Sequence, residues 1–338
     1  MPKKLKGDFK MKAKVMVLAT GGTIAGGSES QISGAYTSAT MGIDRILEAL
    51  PPLHHVVDIE GEQIANVGSQ DMDWGIWFKL LERIETLAQQ EAIKGFVITH
   101  GTDSMEESAY FLHLTLKTSK PVVLVGAMRN GSSMSADGPL NLYNAVAVAL
   151  NKESVGKGVL VVMDDEIHCA REVVKTHTSS VHAFCSPNCG KIGSIYYGKV
   201  HFYMQSLRKH TLQSDLGLEK IQELPKVVVI YTHVDCKVSL LENAIINGAK
   251  GIVVAGMGNG NPGSALLNAM GKAVKEGVVV VRASRTGGGL VSSTEVDDAK
   301  YGFITPDNLN PQKARVLLQL ALLKTKDVAK IQEFFHTH

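Results

Sequence analysis

Valine and isoleucine are bunched into short unbroken runs along this chain: VMVLA (15–19), FVIT (96–99), VVLV (122–125), VLVVM (159–163), VVVIY (227–231), IVVAG (252–256) and VVVVR (278–282). None shows the polar alternation of a strand with one wet face, so each reads as a strand buried on both sides, and an open sheet achieves that only under helices. Helix punctuation lies between the runs. Ser104-x-x-Glu107 reads as a capping box ahead of a helix reaching about residue 117. Pro139 and the Asn310-Pro311 pair sit where a first turn begins, and Gly248 follows a helix over LLENAIIN. Repeated β-α order predicts an α/β fold with two domains, three layered and with mostly parallel sheets. The order breaks once, at IYYGKVHFY (195–203), which reads as a hairpin turning at Gly198, followed by a charged connector. This places an N-terminal domain at 1–203, a linker at 204–224 and a smaller C-terminal α/β domain at 225–338.

Composition removes several classes of function. Basic and acidic residues number 35 and 33, for a net charge of +2, and neither sign runs in blocks, so no footprint of a nucleic-acid or membrane-surface binder is present. The longest stretch without Asp, Glu, Lys or Arg, 251–271, contains Asn259, Asn261, Pro262 and several glycines, unlike a membrane span of roughly 20 apolar residues. The basic N-terminus leads directly into a strand-length run rather than a secretory apolar region with a cleavage site. The expected location is cytoplasmic, or periplasmic if an export leader has been removed. Cys169, Cys185, Cys189 and Cys236 form no C-x-x-C, and His182-x-x-Cys185-x-x-x-Cys189 lacks a second ligand pair at zinc-site spacing, so no metal is assigned.

Ligands of open α/β sheets bind beyond the carboxyl ends of the strands. Four loops fit that position. TGGTIAGG (20–27) follows the first strand without the Lys-Ser/Thr of a phosphate loop, leaving Thr23 in a tight turn. After it comes SESQISGAYTSATMG, with the small polar composition of a flap and Tyr36 as its one aromatic. HGTDSMEE (100–107) offers Thr102, Asp103 and Ser104 at a helix start, where capping needs only one such side chain. In NVGSQDMD (66–73), another loop-to-helix junction, Ser69 or Asp71 taken alone reads first as a simple cap. GNGNPG (258–263) satisfies G-x-G-x-x-G in letter, but the next strand ends in Arg282 and Arg285 where a dinucleotide site wants an acid. Lys175, in REVVKTHT after the 159–163 strand, is a candidate base. No G-x-S-x-G elbow occurs.

Taken together, LATGGTIAG (18–26) and ITHGTD (98–103) resemble the two signature segments of bacterial L-asparaginases. GSQDM (68–72), GAM (126–128), SADGP (135–139), NLYNAV (141–146), GNGN (258–261), EVDDAKYGF (295–303) and NPQKARVLLQLAL (310–322) are similar to the type II branch, in order from about residue 15 to the end. The resemblance implies an amidohydrolase needing no cofactor, with Thr23 as nucleophile, Tyr36 as the flap tyrosine, and Thr102, Asp103 and Lys175 as a Thr-Lys-Asp triad. It implies that Ser69 and Gln70 hold the α-carboxylate and α-amino groups of asparagine. Asn261 and Glu295 match residues supplied by a neighbouring subunit, implying a homotetramer made of two intimate dimers. Two departures stand out: the 285–293 loop, RTGGGLVSS, is short and glycine-rich, and Asn130 stands where a proline is common. The first leaves selectivity between asparagine and glutamine open, and proton transfer by Tyr36 or by the Lys175–Thr102 pair fits equally. An amino-acid-binding two-lobed protein without turnover, a dinucleotide-dependent oxidoreductase and an amidase subunit acting on misacylated tRNA are the rival readings.

Overall fold

A computed structural model describes residues 13–26, 57–220 and 223–338. Their first half runs β1 (Lys14–Gly21), β2 (Asp58–Val67), α1 (Trp74–Ala88), β3 (Ile93–Thr99), α2 (Met105–Thr115), β4 (Val122–Val125), α3 (Gly138–Leu150) and β5 (Val159–Met163). Short strands follow: β6 (Glu166–Cys169), β7 (Val174–Lys175), β8 (Phe184–Cys185), β9 (Gly193–Tyr196) and β10 (Lys199–Phe202). The remainder is β11 (Val227–Tyr231), α4 (Ser239–Ile246), β12 (Gly251–Gly256), α5 (Ser264–Lys275), β13 (Val279–Ser284), α6 (Asp298–Tyr301), α7 (Pro311–Lys324) and α8 (Val328–Thr337).

All seven apolar runs are strands. Seven pairings build the large sheet: its order is β10-β9-β6-β5-β4-β3-β1-β2, with four parallel pairings from β2 through β5 and three antiparallel ones from β5 to β10. β11-β12-β13 form a second, wholly parallel sheet. Alternate residues of one strand feed different cores. Val15, Val17 and Ala19 pack under α3, whereas Met16 and Leu18 join the cluster built with α1 and α2. That second cluster also takes in Leu317 and Leu320 of α7 and Val253 and Val281 of the small sheet, so one helical layer lies between the two sheets. Ile252, Val254 and Val280 face the other way, onto α4 and α5.

The helix starts read from sequence are mostly as expected. Pro139 lies in the first turn of α3, and Asn310 caps α7 by accepting the Lys313 N–H at 3.1 Å. The 195–203 hairpin forms with Tyr197 and Gly198 both at positive φ (49° and 73°), a pairing that matches the twist of its strands. Ser104 departs from expectation: it stands at the N-cap of α2 without a side-chain capping bond, its hydroxyl being used elsewhere. The 204–224 segment is also more than a connector, since His210, Thr211, Ser214 and Leu216 are buried and Lys117 Nζ donates to the Ser214 carbonyl at 2.5 Å.

Candidate active site

Strand order 2-1-3-4-5 reverses direction between β1 and β3, and such a switch point opens a crevice at the strands' carboxyl ends. The loops after β2, β1 and β3 meet there. They line a cleft of roughly 260 Å³ with Gly22, Thr23, Gly68, Ser69, Gln70, Gly101, Thr102 and Asp103. Contact between the loops depends on glycine. Gly22 has φ +83°, and a Cβ on it would lie 2.3 Å from the Gly101 nitrogen; a Cβ on Gly101 would lie 2.6 Å from Ser69 Oγ. Thr20 Oγ1 donates to the Thr99 carbonyl at 2.9 Å, joining the ends of β1 and β3. Thr23, buried, begins the 3₁₀ turn Thr23–Ala25, and the Gly131 N–H donates to the Gly26 carbonyl at 3.2 Å just beyond it. Asn130 makes the turn that presents this N–H, its Oδ1 accepting from Ser132 N at 3.0 Å.

None of the three polar side chains at the start of α2 caps it. Thr102 Oγ1 accepts from Lys175 Nζ at 2.8 Å, Asp103 Oδ1 accepts from the same ammonium at 2.6 Å, and Ser104 Oγ donates to the Ser69 carbonyl at 2.6 Å. Ser69 Oγ accepts the Asp103 N–H at 3.0 Å. Simple capping by Ser69 or Asp71 is likewise overturned: both lie in the 3₁₀ turn Ser69–Asp71, and Asp73 caps α1 through Ile76 N at 2.9 Å. Lys175 follows β6 and sits on the two-stranded β7–β8 ribbon, not at the end of β5. Its side chain is 17% exposed and that of Asp103 is 62% exposed, so the carboxylate bound to Lys175 remains open to a second cation.

Behind the loops the site is buried. His100 is fully buried, which holds its pKa down to about 4 and keeps the ring neutral. Trp77 Nε1 donates to Ser108 Oγ at 2.7 Å, which leaves the Ser108 hydroxyl hydrogen for His100 Nε2 at 2.8 Å. The Nδ1–H of that tautomer then meets the Gly101 carbonyl at 2.6 Å. The buried aromatic end of α1 thereby sets the peptide between His100 and Thr102. Glu106, in the first turn of α2, was not singled out by sequence reasoning, yet its carboxylate accepts the backbone N–H of Lys175 at 2.8 Å. Its sequence signal was a second consecutive acid at a helix start that one cap already satisfies.

Asn261 and Glu295 come together by themselves: Asn261 Nδ2 donates to Glu295 Oε2, and neither lines the Thr23 cleft. Arg282, entirely buried, fixes their loops. It binds Asp298 through Nε at 2.7 Å and Nη2 at 2.5 Å, and donates to the carbonyls of Asn259 and Ser292 at 2.6 and 2.7 Å. The 258–263 glycines do not cradle a dinucleotide. Met257 and Asn261 bridge across the turn, and a Cβ on Gly260 would meet the Ala283 carbonyl at 2.8 Å, so this loop folds onto its own sheet. His182 pairs with Asp164 at 3.0 Å, Cys185 Sγ lies 3.0 Å from Thr176 Oγ1, and all four cysteines are free. Among the described residues no helix is long and apolar enough to cross a membrane. Tyr36 lies outside the described residues.

A switch-point cleft with two threonines, one lysine and one carboxylate can run acyl transfer on a small polar molecule. Comparison with known proteins points the same way. The asparaginase N-terminal family profile matches residues 14–208, and the glutaminase/asparaginase C-terminal profile matches 226–335. A probable periplasmic L-asparaginase of Haemophilus influenzae is 52% identical over 95% of this chain and 92% of its own. L-asparaginase 2 of Escherichia coli is 48% identical over 96% and 93%. The crystal structure of a probable cytoplasmic L-asparaginase from Campylobacter jejuni superposes with a TM-score of 0.93 at 47% identity, over 97% of this chain and all of that one. With both halves matched and the fold shared over nearly its whole length, the chain belongs to the asparaginase family.

Proposed function

We propose that this protein is an L-asparaginase, hydrolysing the side-chain amide of L-asparagine to L-aspartate and ammonia, with glutamine as a lesser substrate. One observation carries the mechanism: Lys175 Nζ stands 2.8 Å from Thr102 Oγ1 and 2.6 Å from Asp103 Oδ1, beside the cleft that Thr23 lines. In this reading Thr23 Oγ bonds to the carboxamide carbon as its proton departs, and backbone N–H groups at Thr23 and Thr102 stabilise the oxyanion. The C–N bond breaks, ammonia leaves with the added proton, and water then cleaves the aspartyl ester. A hydroxyl already bonded to Lys175 suits Thr102 for moving protons or delivering water, a task it shares with Tyr36. Asp103 takes the substrate's α-ammonium, helped by Gln70, and Ser69 the α-carboxylate. These are acid–base and acyl-transfer steps that side chains supply without a cofactor.

Asn261 and Glu295 complete a neighbour's site in this reading, within a homotetramer built as a dimer of dimers. What supports it is that the pair is rigidly mounted on Arg282 and Asp298 yet absent from the lining of its own chain's cleft. The partition into 1–203, 204–224 and 225–338 belongs to the same proposal, supported by two sheets that draw their strands from before and after the middle segment. Ammonia release from asparagine and glutamine, measured side by side over a wide concentration range, tests the activity. Turnover of asparagine is expected at the lower concentration. Tight binding of aspartate without ammonia release would put a binding protein in its place, and full activity in a monomer across a dilution series would refute the shared site.

A further inference from the structure

Lys175 is held at both ends by the same turn of chain. Thr102 and Asp103 grip its ammonium, while Glu106, three residues further on, takes its backbone N–H. We infer that Glu106 is a positioning residue for the reaction proposed above, setting the height of the β7–β8 ribbon so that the Lys175 ammonium meets Thr102. The inference rests on the assignment of Lys175 to the catalytic group.

The chemistry around Glu106 explains why only a carboxylate serves there. Its side chain is 4% exposed, and three donors converge on it: Lys175 N at 2.8 Å, Asn310 Nδ2 at 3.0 Å and Gln312 Nε2 at 2.5 Å. An acceptor-only group satisfies all three, whereas an amide would turn one N–H₂ toward a donor. Asn310 cannot flip to relieve such a clash, because its Oδ1 is the cap of α7, accepting from Lys313 N. Lys313, in the first turn of the same helix, donates through Nζ to the carbonyls of Arg171 at 2.9 Å and of Val173. The first turn of α7 thus grips the strand leading to Lys175 from one side, and Glu106 transmits the rest of the hold from the other. Lys313 and Glu106 also carry opposite charges in a buried setting, so each lessens the cost of burying the other.

The test uses the full-length protein and ammonia release from asparagine, with kcat, KM and thermal midpoint recorded for wild type, Lys175→Met, Glu106→Gln and the double variant Glu106→Gln/Asn310→Asp. Lys175→Met should be nearly inactive, and wild-type turnover in that variant would overturn the assignment of Lys175 and the inference with it. Given that loss, Glu106→Gln should lower kcat about tenfold while KM stays within about twofold, because substrate contacts are untouched and only the proton-handling geometry is displaced. The double variant puts an acceptor opposite the new amide: the carboxylate at position 310 keeps one oxygen for the α7 cap and turns the other to the amide at position 106, the Gln312 amide can rotate to accept as well, and most of kcat should return. A kcat within about twofold of wild type for Glu106→Gln overturns the positioning role and leaves Lys175 catalytic. So does a double variant that regains its thermal midpoint but not its kcat, which would show that the carboxylate acts on turnover by some means other than the position of Lys175. If Glu106→Gln does not fold, Glu106→Asp, which keeps the charge and shortens the reach, is judged by the same criteria.

Discussion

Gly22→Ala should disable the enzyme by forcing two loops apart without removing a single functional group. The added Cβ would lie 2.3 Å from the Gly101 nitrogen, 2.4 Å from its Cα and 2.9 Å from the His100 carbonyl carbon. Ordinary contact begins at 3.4 Å, and all three atoms are backbone, so no rotamer can yield. The loop holding Thr23 must therefore retreat by about 1 Å from the loop holding Thr102, a displacement that costs on the order of 100-fold in rate when it falls on reacting groups. Gly22 also has φ +83° and ψ −171°, a region nearly closed to other residues, which adds roughly 1–3 kcal/mol of strain. Together with overpacking, the loss in urea unfolding should be about 2–4 kcal/mol. Gly156→Ala is the control: φ is +76° there, but nothing lies within 4 Å of the added carbon. That variant should lose only about 1 kcal/mol of stability and keep its kcat. If Gly22→Ala retains kcat within about threefold of wild type, the close approach of the two loops does not set the catalytic geometry.

Thr23→Ala and Thr102→Ala should each fold normally and each fall below about a tenth of wild-type kcat, a loss of at least roughly 1.4 kcal/mol; a variant that stays above that level removes its threonine from the chemistry. Asp298→Asn should cost about 3 kcal/mol or more in urea unfolding, since it leaves the Arg282 guanidinium buried with half a partner, and circular dichroism melts showing a change under about 1 kcal/mol would contradict this. Acid stability should follow the buried histidines, His100 among them with His113, His168, His210 and His338. The folded pKa of His100 is about 4 against an ordinary 6.5, so the unfolded chain takes up the proton first as pH falls. Its contribution is complete above about pH 7 and declines toward about pH 4, by up to about 3 kcal/mol. The urea midpoint of wild type should drop more steeply over that window than that of His100→Gln, and parallel slopes would show that His100 contributes no share of it.

Strands buried on both faces were legible because nothing but apolar side chains fits them, and the seven Val/Ile runs carried that signal unaided. Its edges were not. β2 reads DIEGEQIANV, half exposed at the rim of the sheet, where charged residues are tolerated and the apolar run disappears. β6 is four residues long, and its antiparallel return places Lys175 on a ribbon that no periodicity foretells. The site loops were found as motifs, but their partners were not: a hydroxyl beside a helix start looks like a cap in sequence, and only three-dimensional placement shows Ser104 reaching back to Ser69 and Thr102 turned to Lys175. Glu106 and Gln312, 206 residues apart, share a contact that no local pattern encodes.

The helical layer between the two sheets bears on how the chain comes undone. Leu317 and Leu320 of α7, Phe111 of α2 and Val253 of β12 belong to one continuous cluster, so a border drawn along the sequence does not divide the apolar interior. Cutting the chain in the 204–224 segment would strip α7 of α2 and leave each fragment with a large greasy face open to water. Melting should accordingly be a single concerted event, with calorimetric and van't Hoff enthalpies in agreement per cooperative unit. A newly made N-terminal half leaving the ribosome would have to wait for α7 before its last apolar wall could close.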